Sequence, residues 1–184
     1  MPPPPRYAHT MLQPVIRSAT AADVSTISAI YAHAVRYGTA TFEIDPPTES
    51  EMADRFCALT AGGFPYLVAE CDGAVRGYAY AGPYRPRVAY RYTLEDSIYI
   101  APDYHGRGIG RALINRLLSE AAVRGYRQMI AVIGDSEQVA SIALHRAAGF
   151  RMVGTLEAVG FKFGRWLDTV LMQRSLGAGA KTPA

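Results

Sequence analysis

The sequence predicts a single α/β domain built around a mixed β-sheet. A length of 184 residues favours one domain, and a hydrophobic fraction of 49% is enough for one sizeable core. Segments with strand character and segments with helical periodicity alternate in the order β-α-α-β-β-β-α-β-α-β-β. Because an early hairpin is followed by a strand–helix–strand crossover, we expect both antiparallel and parallel neighbours in the sheet.

The segment "PVIRSAT" is a short strand, and two amphipathic helices follow it. The first helix lies in "TAADVSTISAIYAHAVRYG", where Thr20 or Asp23 can act as the N-terminal cap and Gly38 can end the helix. Its apolar residues recur at helical spacing: Val24, Ile27, Ile30, Tyr31 and Ala34. The second helix, in "PPTESEMADRFCALTAGG", follows the same logic, with apolar residues on one side and two glycines at its end.

The rest of the chain supplies most of the sheet and two further helices. "FPYLVAECDGAVRGYAYAG" is typical of a hairpin with its turn at Asp72-Gly73. The strand "LEDSIYIAP" leads through a glycine-rich loop into the amphipathic helix "IGRALINRLLSEAAVRG", which ends at Gly125. The strand "YRQMIAVIG" and the helix "SEQVASIALHRAAGF", closed by Gly149, come next. The final two strands are "RMVGTLEAVGF" and "RWLDTVLMQRSL".

Composition excludes several classes of function. The formal net charge is +3, from 19 Lys and Arg against 16 Asp and Glu, and no dense basic block appears, which disfavours nucleic acid as a partner. No apolar run reaches the roughly 18 residues that a membrane-spanning helix needs. Cys57 and Cys71 lack a CxxC partner and a nearby histidine pair, so neither a zinc site nor a disulfide framework is indicated. We therefore expect a cytoplasmic protein that binds no metal and no membrane.

The two ends are expected to lie outside the domain. Residues 1–13 are rich in proline and lack the apolar core of a signal peptide, which predicts an extended, mobile arm. Residues 177–184 are small and polar and are expected to fray. The domain is thereby predicted to span residues 14–176, without an internal repeat or a linker that would divide it.

The loop "HGRGIG" at residues 105–110 joins a predicted strand to a predicted helix. The first amides of a helix have no internal partner and point outward with the positive end of the helix dipole. Without Cβ atoms at Gly106, Gly108 and Gly110, those amides can approach a phosphate, and Arg107 and Arg111 add positive charge. The spacing excludes a P-loop and departs from the dinucleotide fingerprint GxGxxG. On these residues alone, a pyrophosphate cradle and a turn that merely needs positive φ both remain open.

Several separated motifs resemble those of the GNAT-type N-acetyltransferases. Their acyl-CoA loop has the pattern Q/R-x-x-G-x-G/A, which Gly108 and Gly110 match, while His105 stands where Gln or Arg is usual. "YAYAGPYRPRVAYRYTLEDSIYI", "AVIGDS", "ASIALHRAAGF" and "GFKFGRWLDTVLMQR" are similar to the phosphinothricin and methionine sulfoximine N-acetyltransferase branch. The resemblance covers residues 14–176 and implies the GNAT fold, a mixed, mostly antiparallel, twisted sheet of about seven strands flanked by about four helices.

The resemblance implies acetyl-CoA as the cosubstrate, and no metal. The pantetheine arm would pair with the exposed backbone of Ile98, Tyr99 and Ile100, as an added strand does. After the next strand, where the family has Asn, this chain has Gln138, and Ser141 is a further expected contact. The pyrophosphate would lie on the glycine loop, at His105, Gly106, Arg107, Gly108, Ile109, Gly110 and Arg111.

Acetyl transfer to an amine requires a group that takes the proton of the amine. Glu95 is the expected catalytic base, acting directly or through water as is proposed for the matching Glu of the branch, while Asp96 should face the other side of the strand. His145, the second expected catalytic residue, matches a His of the branch, and general acid, substrate contact and base all remain open as its role. Cys57 and Cys71 have no base nearby in sequence, which favours direct transfer in a ternary complex.

The segment "PYRPRVAYRY" interleaves arginines with tyrosines just before Glu95. Arginine forks suit carboxylate and phosphinate oxygens, and tyrosine rings can surround a small amino acid, although an ordinary solvated loop has the same composition. The resemblance implies that residues of this segment, and more weakly of "TATFE", line the acceptor site. The expected substrate-binding residues are Phe42, Arg85, Arg87, Tyr90 and Tyr92.

The resemblance as a whole implies an acetyl-CoA-dependent N-acetyltransferase of small amino-acid-like amines such as phosphinothricin, methionine sulfoximine or methionine sulfone. A peptide or protein N-acetyltransferase with an open groove is an alternative. A non-catalytic acyl-CoA-binding module is another, which the departures at His105 and Gln138 make conceivable. A homodimer is expected because the branch forms one, and "GFKFGRW", with Lys162 and Trp166, matches a segment near its active site and dimer interface.

Overall fold

Seven strands and four α-helices make up residues 13–183, the part of the chain that the computed structural model describes. The strands are β1 (Val15–Ser18), β2 (Tyr66–Cys71), β3 (Ala74–Pro83), β4 (Thr93–Ile100), β5 (Gln128–Gly134), β6 (Arg151–Lys162) and β7 (Arg165–Ser175). The helices are α1 (Val24–Tyr37), α2 (Glu49–Ala61), α3 (Ile109–Val123) and α4 (Val139–Ala147). The predicted fold class and order of elements are confirmed. Within residues 13–183, no helix is both long and apolar enough to cross a membrane.

The strands form one sheet in the order β1-β2-β3-β4-β5-β7-β6, and only β4 and β5 run parallel to each other. These two strands pair over just four residues, from Thr93 to Asp96 on β4. Beyond that point β4 continues beside β3 to Ile100, while β5 continues beside β7 to Gly134. The sheet therefore divides between residues 97–100 of β4 and 132–134 of β5, and we call this opening the fork.

Helices cover both faces of the sheet and bury a separate apolar cluster on each. The cluster under α1 and α2 includes Ile27, Val35, Phe56, Val68 and Tyr78. The cluster under α3 includes Leu94, Leu113, Leu117, Met129 and Met172. Because side chains alternate along a strand, the odd-numbered residues of β4 face α1 and α2, and the even-numbered ones face α3 and α4.

Capping boxes fix where the first two helices begin. Thr48 accepts a hydrogen bond from the Glu51 amide (3.2 Å), and the Glu51 carboxylate accepts one from the Thr48 amide (2.7 Å). Thr20 and Asp23, both predicted as caps, form the corresponding pair around a short 3-10 turn that precedes α1. The loop between the two helices therefore starts at Gly38 and ends before Thr48, and it crosses the fork.

The two chain ends were expected to lie outside the domain. The predicted N-terminal arm comprises residues 1–13. Residues 1–12 lie outside the described residues, and Gln13 is the first described residue. Residues 177–183, predicted to fray, contain turns, and the Arg127 guanidinium donates hydrogen bonds to Thr182 Oγ1 (3.2 Å) and to the Pro183 carbonyl (3.3 Å).

Candidate active site

The fork leaves one edge of β4 without a neighbouring strand in the described chain. Pairing with β5 ends at Asp96 and Ala131, so the backbone from Ser97 to Ile100 faces the opening on that side. An open strand edge presents N–H and C=O groups to any extended ligand that carries amides. The three residues expected to pair with a pantetheine arm, Ile98, Tyr99 and Ile100, lie on this edge.

The glycine loop leads from the end of β4 into α3. Gly106 and Gly108 have φ angles of +72° and +84°, in the region that favours glycine, and Gly108 is the N-cap of α3. Gly110 differs, because a Cβ added there would lie 3.2 Å from Leu144 Cδ2 of α4. The structure thus assigns Gly110 to close packing of α3 on α4, whereas the sequence interpretation gave all three glycines to phosphate approach.

Two arginines flank an aromatic ring beside this loop. The guanidinium carbons of Arg76 and Arg107 each lie 4.7 Å from the ring centroid of Tyr104. Arg76 belongs to β3, and no sequence motif points to it, because its place depends on the register of β3 with β4. Both groups carry donors suited to a diphosphate.

The two positions that depart from the family pattern make hydrogen bonds within the protein. His105 Nε2 donates to the Ile100 carbonyl (3.0 Å), which fastens the loop to the end of β4. Gln138 Nε2 donates to Thr39 Oγ1 (3.0 Å), in the loop after α1. The Ser141 carbonyl accepts a hydrogen bond from His145 Nδ1 (2.8 Å). Atoms that were expected to contact a cofactor are therefore engaged in internal hydrogen bonds.

Glu95 lies at the base of the fork, on the face of β4 that α1 and α2 cover. Burial raises the pKa of the Glu95 carboxyl, the nearby charge of Asp96 raises it further, and Arg85 lowers it. A carboxylate with a raised pKa is a better base near neutral pH. The structure therefore places Arg85, which the sequence also singled out, close enough for its charge to act on Glu95.

His145 lies on the opposite face of the sheet and is 4% exposed. Its Nε2 hydrogen-bonds Asp96 Oδ2 (2.9 Å), so Asp96 faces away from Glu95, as the strand alternation predicts. Burial lowers the pKa of His145, but the hydrogen bond and the charge of Asp96 outweigh burial and raise it overall. The structure places both expected catalytic residues near the base of the fork but does not bring them to one face.

The arginine- and tyrosine-rich segment is an exposed loop with one short 3-10 turn, Val88–Tyr90. Arg85 lies over the Tyr84 ring (5.0 Å), and Tyr84 meets Tyr90 edge-on (5.7 Å). Tyr92 instead lies under Arg91 (4.5 Å). Arg85 and Tyr90 thus both contact Tyr84, and Arg87 is exposed at the start of the turn.

Residues 38–43, which we call the bridging loop, touch both arms of the fork. Thr41 Oγ1 lies 2.9 Å from Tyr31 Oη, and the Tyr31 ring in turn packs edge-on against Tyr99 on β4 (5.0 Å). On the other arm, a Cβ added to Gly134 of β5 would lie 2.9 Å from Phe42 Cε1. Phe42, expected to contact substrate, therefore anchors the loop, and the loop covers the fork on the face of Glu95.

A cavity of about 300 Å³ lies on this same face, beneath α2, rather than at the glycine loop. Tyr80, one of its lining residues, is the β3 partner of Ser97 at the start of the fork and lies within electrostatic range of Glu95. The other lining residues include Tyr31, Met52, Arg55, Leu59 and Tyr78. The cavity therefore offers a mostly apolar space next to the fork, large enough for a side chain.

Comparison with known proteins decides the family. Residues 16–171 match the family model described as an acetyltransferase (GNAT) domain. The chain belongs to the GNAT acetyltransferase family. The predicted resemblance is thereby confirmed, and the chain is an N-acetyltransferase.

Several relatives of this GNAT acetyltransferase have names that state a substrate. A phosphinothricin N-acetyltransferase of Alcaligenes faecalis is 57% identical over 160 residues, which cover 87% of this chain and 81% of the relative. An L-methionine sulfoximine/L-methionine sulfone acetyltransferase of Salmonella typhimurium is 40% identical, over 92% of this chain and 98% of the relative. A phosphinothricin acetyltransferase of Sinorhizobium meliloti, solved in complex with acetyl-CoA, is 51% identical with a TM-score of 0.90, covering 92% of each chain.

The GNAT site is built without a cluster of metal ligands in residues 13–183. Nowhere in that range do three or more His, Cys, Asp or Glu side chains come together as a metal site. Of the two cysteines, Cys57 is exposed on α2, and burial raises the pKa of the Cys71 thiol, which disfavours its thiolate. The chemical groups that the site offers are therefore a carboxylate, a histidine, arginines and backbone amides.

Proposed function

We propose that this GNAT acetyltransferase transfers the acetyl group of acetyl-CoA to the α-amine of a small amino-acid-like substrate. The observation that carries the proposal is the place of Glu95 at the base of the fork, next to the point where pairing of β4 with β5 ends, with a carboxyl pKa that burial raises. The substrate class is that of the relatives: phosphinothricin, methionine sulfoximine and methionine sulfone.

The fork and the glycine loop fit acetyl-CoA, which supplies an acetyl group activated as a thioester. The Ile98 backbone and the Ile100 amide would pair with the amides of the pantetheine arm along the open edge of β4, while the Ile100 carbonyl keeps its hydrogen bond from His105. The amides at the start of α3, together with Arg76 and Arg107, would hold the pyrophosphate. Positive φ at Gly106 and Gly108 turns the loop toward that position without strain.

Glu95 takes a proton from the acceptor ammonium, because an amine needs a free electron pair to attack the thioester carbon. The nitrogen then forms the new C–N bond, the C–S bond breaks, and the sulfur leaves with the electron pair of that bond. A second proton departs from the nitrogen as the amide forms, and one proton is taken up by the CoA thiolate. Transfer is direct within a ternary complex. Cys57 is exposed on α2, and Cys71 pairs with Ala74, at the opposite end of β3 from Gly82, the partner of Glu95.

Arg85 and the cavity beneath α2 suit a small, anionic acceptor. The Arg85 guanidinium, within electrostatic range of Glu95, would hold a carboxylate or phosphinate group of the substrate. The cavity of about 300 Å³ offers room for one side chain. The protein acts as a homodimer in this proposal, in line with the exposed apolar residues of β6 and β7, among them Phe161 and Trp166.

The test uses purified protein with acetyl-CoA and four acceptors: phosphinothricin, methionine sulfoximine, methionine sulfone and a peptide. Free thiol is followed with time. We expect turnover with the three small acceptors, and Glu95→Gln should lower kcat by roughly 10²-fold or more with an acetyl-CoA KM near that of the wild type. Glu49→Gln, an exposed carboxylate on α2, is the matched control.

Turnover with the peptide alone would overturn the substrate class. Acetyl-CoA binding without turnover of any amine would overturn the proposed catalysis. A parallel-line pattern in two-substrate kinetics would exclude direct transfer.

A further inference from the structure

The bridging loop contains neither helix nor strand, so its contacts with the rest of the protein set its position. On one side Thr41 Oγ1 lies 2.9 Å from Tyr31 Oη, and the Tyr31 ring packs edge-on against Tyr99 of β4 (5.0 Å). On the other side Gln138, at the start of α4, donates a hydrogen bond to Thr39 (3.0 Å). The loop therefore lies on the α1 side of the sheet, the face to which the odd-numbered β4 residues, Glu95 among them, belong.

Three residues much farther along the chain, one on β5 and two on β6, contact the bridging loop. A Cβ at Gly134 of β5 would lie 2.7 Å from the Thr39 carbonyl oxygen, and a Cβ at Gly160 of β6 would overlap the Phe42 ring. The Lys162 Nζ, on a side chain that is 3% exposed, donates hydrogen bonds to the carbonyls of Gly38 and Thr41, both at 2.9 Å. The ring of Phe42 thus packs between Gly134 and Gly160, and Lys162 holds the loop by two hydrogen bonds. We call this arrangement the seat of the loop.

We propose that Gly160 and Lys162 of the β6–β7 hairpin determine acceptor affinity. They would do so by holding the bridging loop at the distance from the sheet that fits a small acceptor. The assignment to the acceptor rests on the proposed function; the seating of the loop does not. Neither residue belongs to the open edge of β4 or to the glycine loop, so the cosubstrate is bound by other elements.

A matched pair of variants on the same strand tests the proposal. Gly160→Ala adds a methyl group that Phe42 must avoid, whereas Gly154→Ala adds one with no atom within 4 Å. We expect Gly160→Ala to raise the acceptor KM roughly tenfold, the effect of the strain that one overpacked methyl group causes, with an unchanged acetyl-CoA KM. Gly154→Ala should leave both constants at wild-type values. An acceptor KM that is equal in the two variants would overturn the proposal.

Two further variants separate seating from general damage to the fold. In a Phe42→Ala background the ring is gone, so adding Gly160→Ala should have no further effect on the acceptor KM. Lys162→Met keeps much of the side-chain volume but removes both hydrogen bonds, and it should raise the acceptor KM in the wild-type background. Additive effects of Phe42→Ala and Gly160→Ala would show that the ring and the glycine act independently, which contradicts the seat.

Amide hydrogen exchange tests the seat without any turnover. Residues 38–43 should exchange faster in Gly160→Ala than in Gly154→Ala, while the amides of α3 exchange equally in both. If the wild type acetylates no amine, the proposed function fails, and this exchange difference still decides whether the hairpin seats the loop. Equal exchange of residues 38–43 in the two variants would overturn the seat itself.

Discussion

Glu95 is held between influences of opposite sign. Burial and the charge of Asp96 favour its neutral form, and Arg85 favours its carboxylate. A base must be deprotonated to act, so the acidic limb of the pH–rate profile should report this carboxyl. Its raised pKa places that limb above the range of an ordinary glutamate.

Arg85→Met removes the one influence that lowers the pKa of Glu95. We expect the acidic limb of the kcat/KM profile for the acceptor to move to higher pH. Without the cation, the Glu95 carboxyl stays protonated up to a higher pH. Arg91→Met is the matched control, since Arg91 lies over Tyr92 in the same loop. A higher acceptor KM with an unmoved limb would mean that Arg85 acts on the acceptor and not on Glu95.

The buried pair of Asp96 and His145 links protonation to stability. Because the folded-state pKa of His145 is raised, its stabilising effect is complete below the unfolded value of about 6.5 and is lost as the pH rises through the folded value. The double variant Asp96→Asn/His145→Gln keeps polar partners but removes this titration. We expect the wild type to exceed it in free energy of unfolding by more at about pH 6 than at about pH 9, measured by urea denaturation.

His33→Gln serves as the control for the pair, because His33 is an exposed residue of α1. Its free energy of unfolding should differ from that of the wild type by the same small amount at both pH values. A stability difference of the double variant that grew with pH would contradict the assigned sign.

Among the structural elements, those that depend on local signals were predictable from the sequence. Helix periodicity, capping residues and the Asp72-Gly73 turn act over a few residues, and each element lies where these signals place it. The fork is different, because it arises where the pairing of β4 with β5 stops after Asp96, a matter of register between strands. The seat of Phe42 likewise joins residues more than a hundred positions apart, as the hydrogen bond from Lys162 to Thr41 shows.

The glycine loop could be recognised from its spacing, but the role of each glycine could not. Gly108 caps α3 at φ +84°, a conformation that costs an ordinary L-residue about 1–2 kcal/mol. Gly108→Ala should therefore lower the free energy of unfolding and raise the acetyl-CoA KM, while the acceptor KM stays near the wild-type value. Chemical denaturation and steady-state kinetics measure the two effects. Gly154→Ala, at a φ outside the left-handed region, is the control, and an unchanged acetyl-CoA KM would remove Gly108 from the cradle.

For the molecule as a whole, the β6–β7 hairpin is the surface that most needs a partner. β6 is an edge strand, and such strands invite pairing with another chain unless they are protected. Large apolar side chains of the hairpin are exposed, including Met152, Val153, Leu156, Phe161 and Trp166. Phe161 and Trp166 meet edge-on at 5.2 Å and are 56% and 65% exposed. Exposed apolar side chains of this size are typical of an interaction surface, and a second copy of the chain is the partner proposed above.

Phe161→Glu tests the proposed dimer, because a carboxylate buried at an interface on the hairpin would lose its hydration without gaining a partner. We expect the wild type to sediment as a dimer and Phe161→Glu as a monomer or a much weaker dimer, measured by analytical ultracentrifugation over a range of concentrations. Val123→Glu makes the same change at an 88% exposed position on α3 and should remain dimeric. Because Gly160 and Lys162 flank Phe161 on the same strand, the monomeric variant should also show a raised acceptor KM if the partner holds the hairpin in place. If Phe161→Glu sediments as the same dimer as the wild type, the interface does not lie on the hairpin.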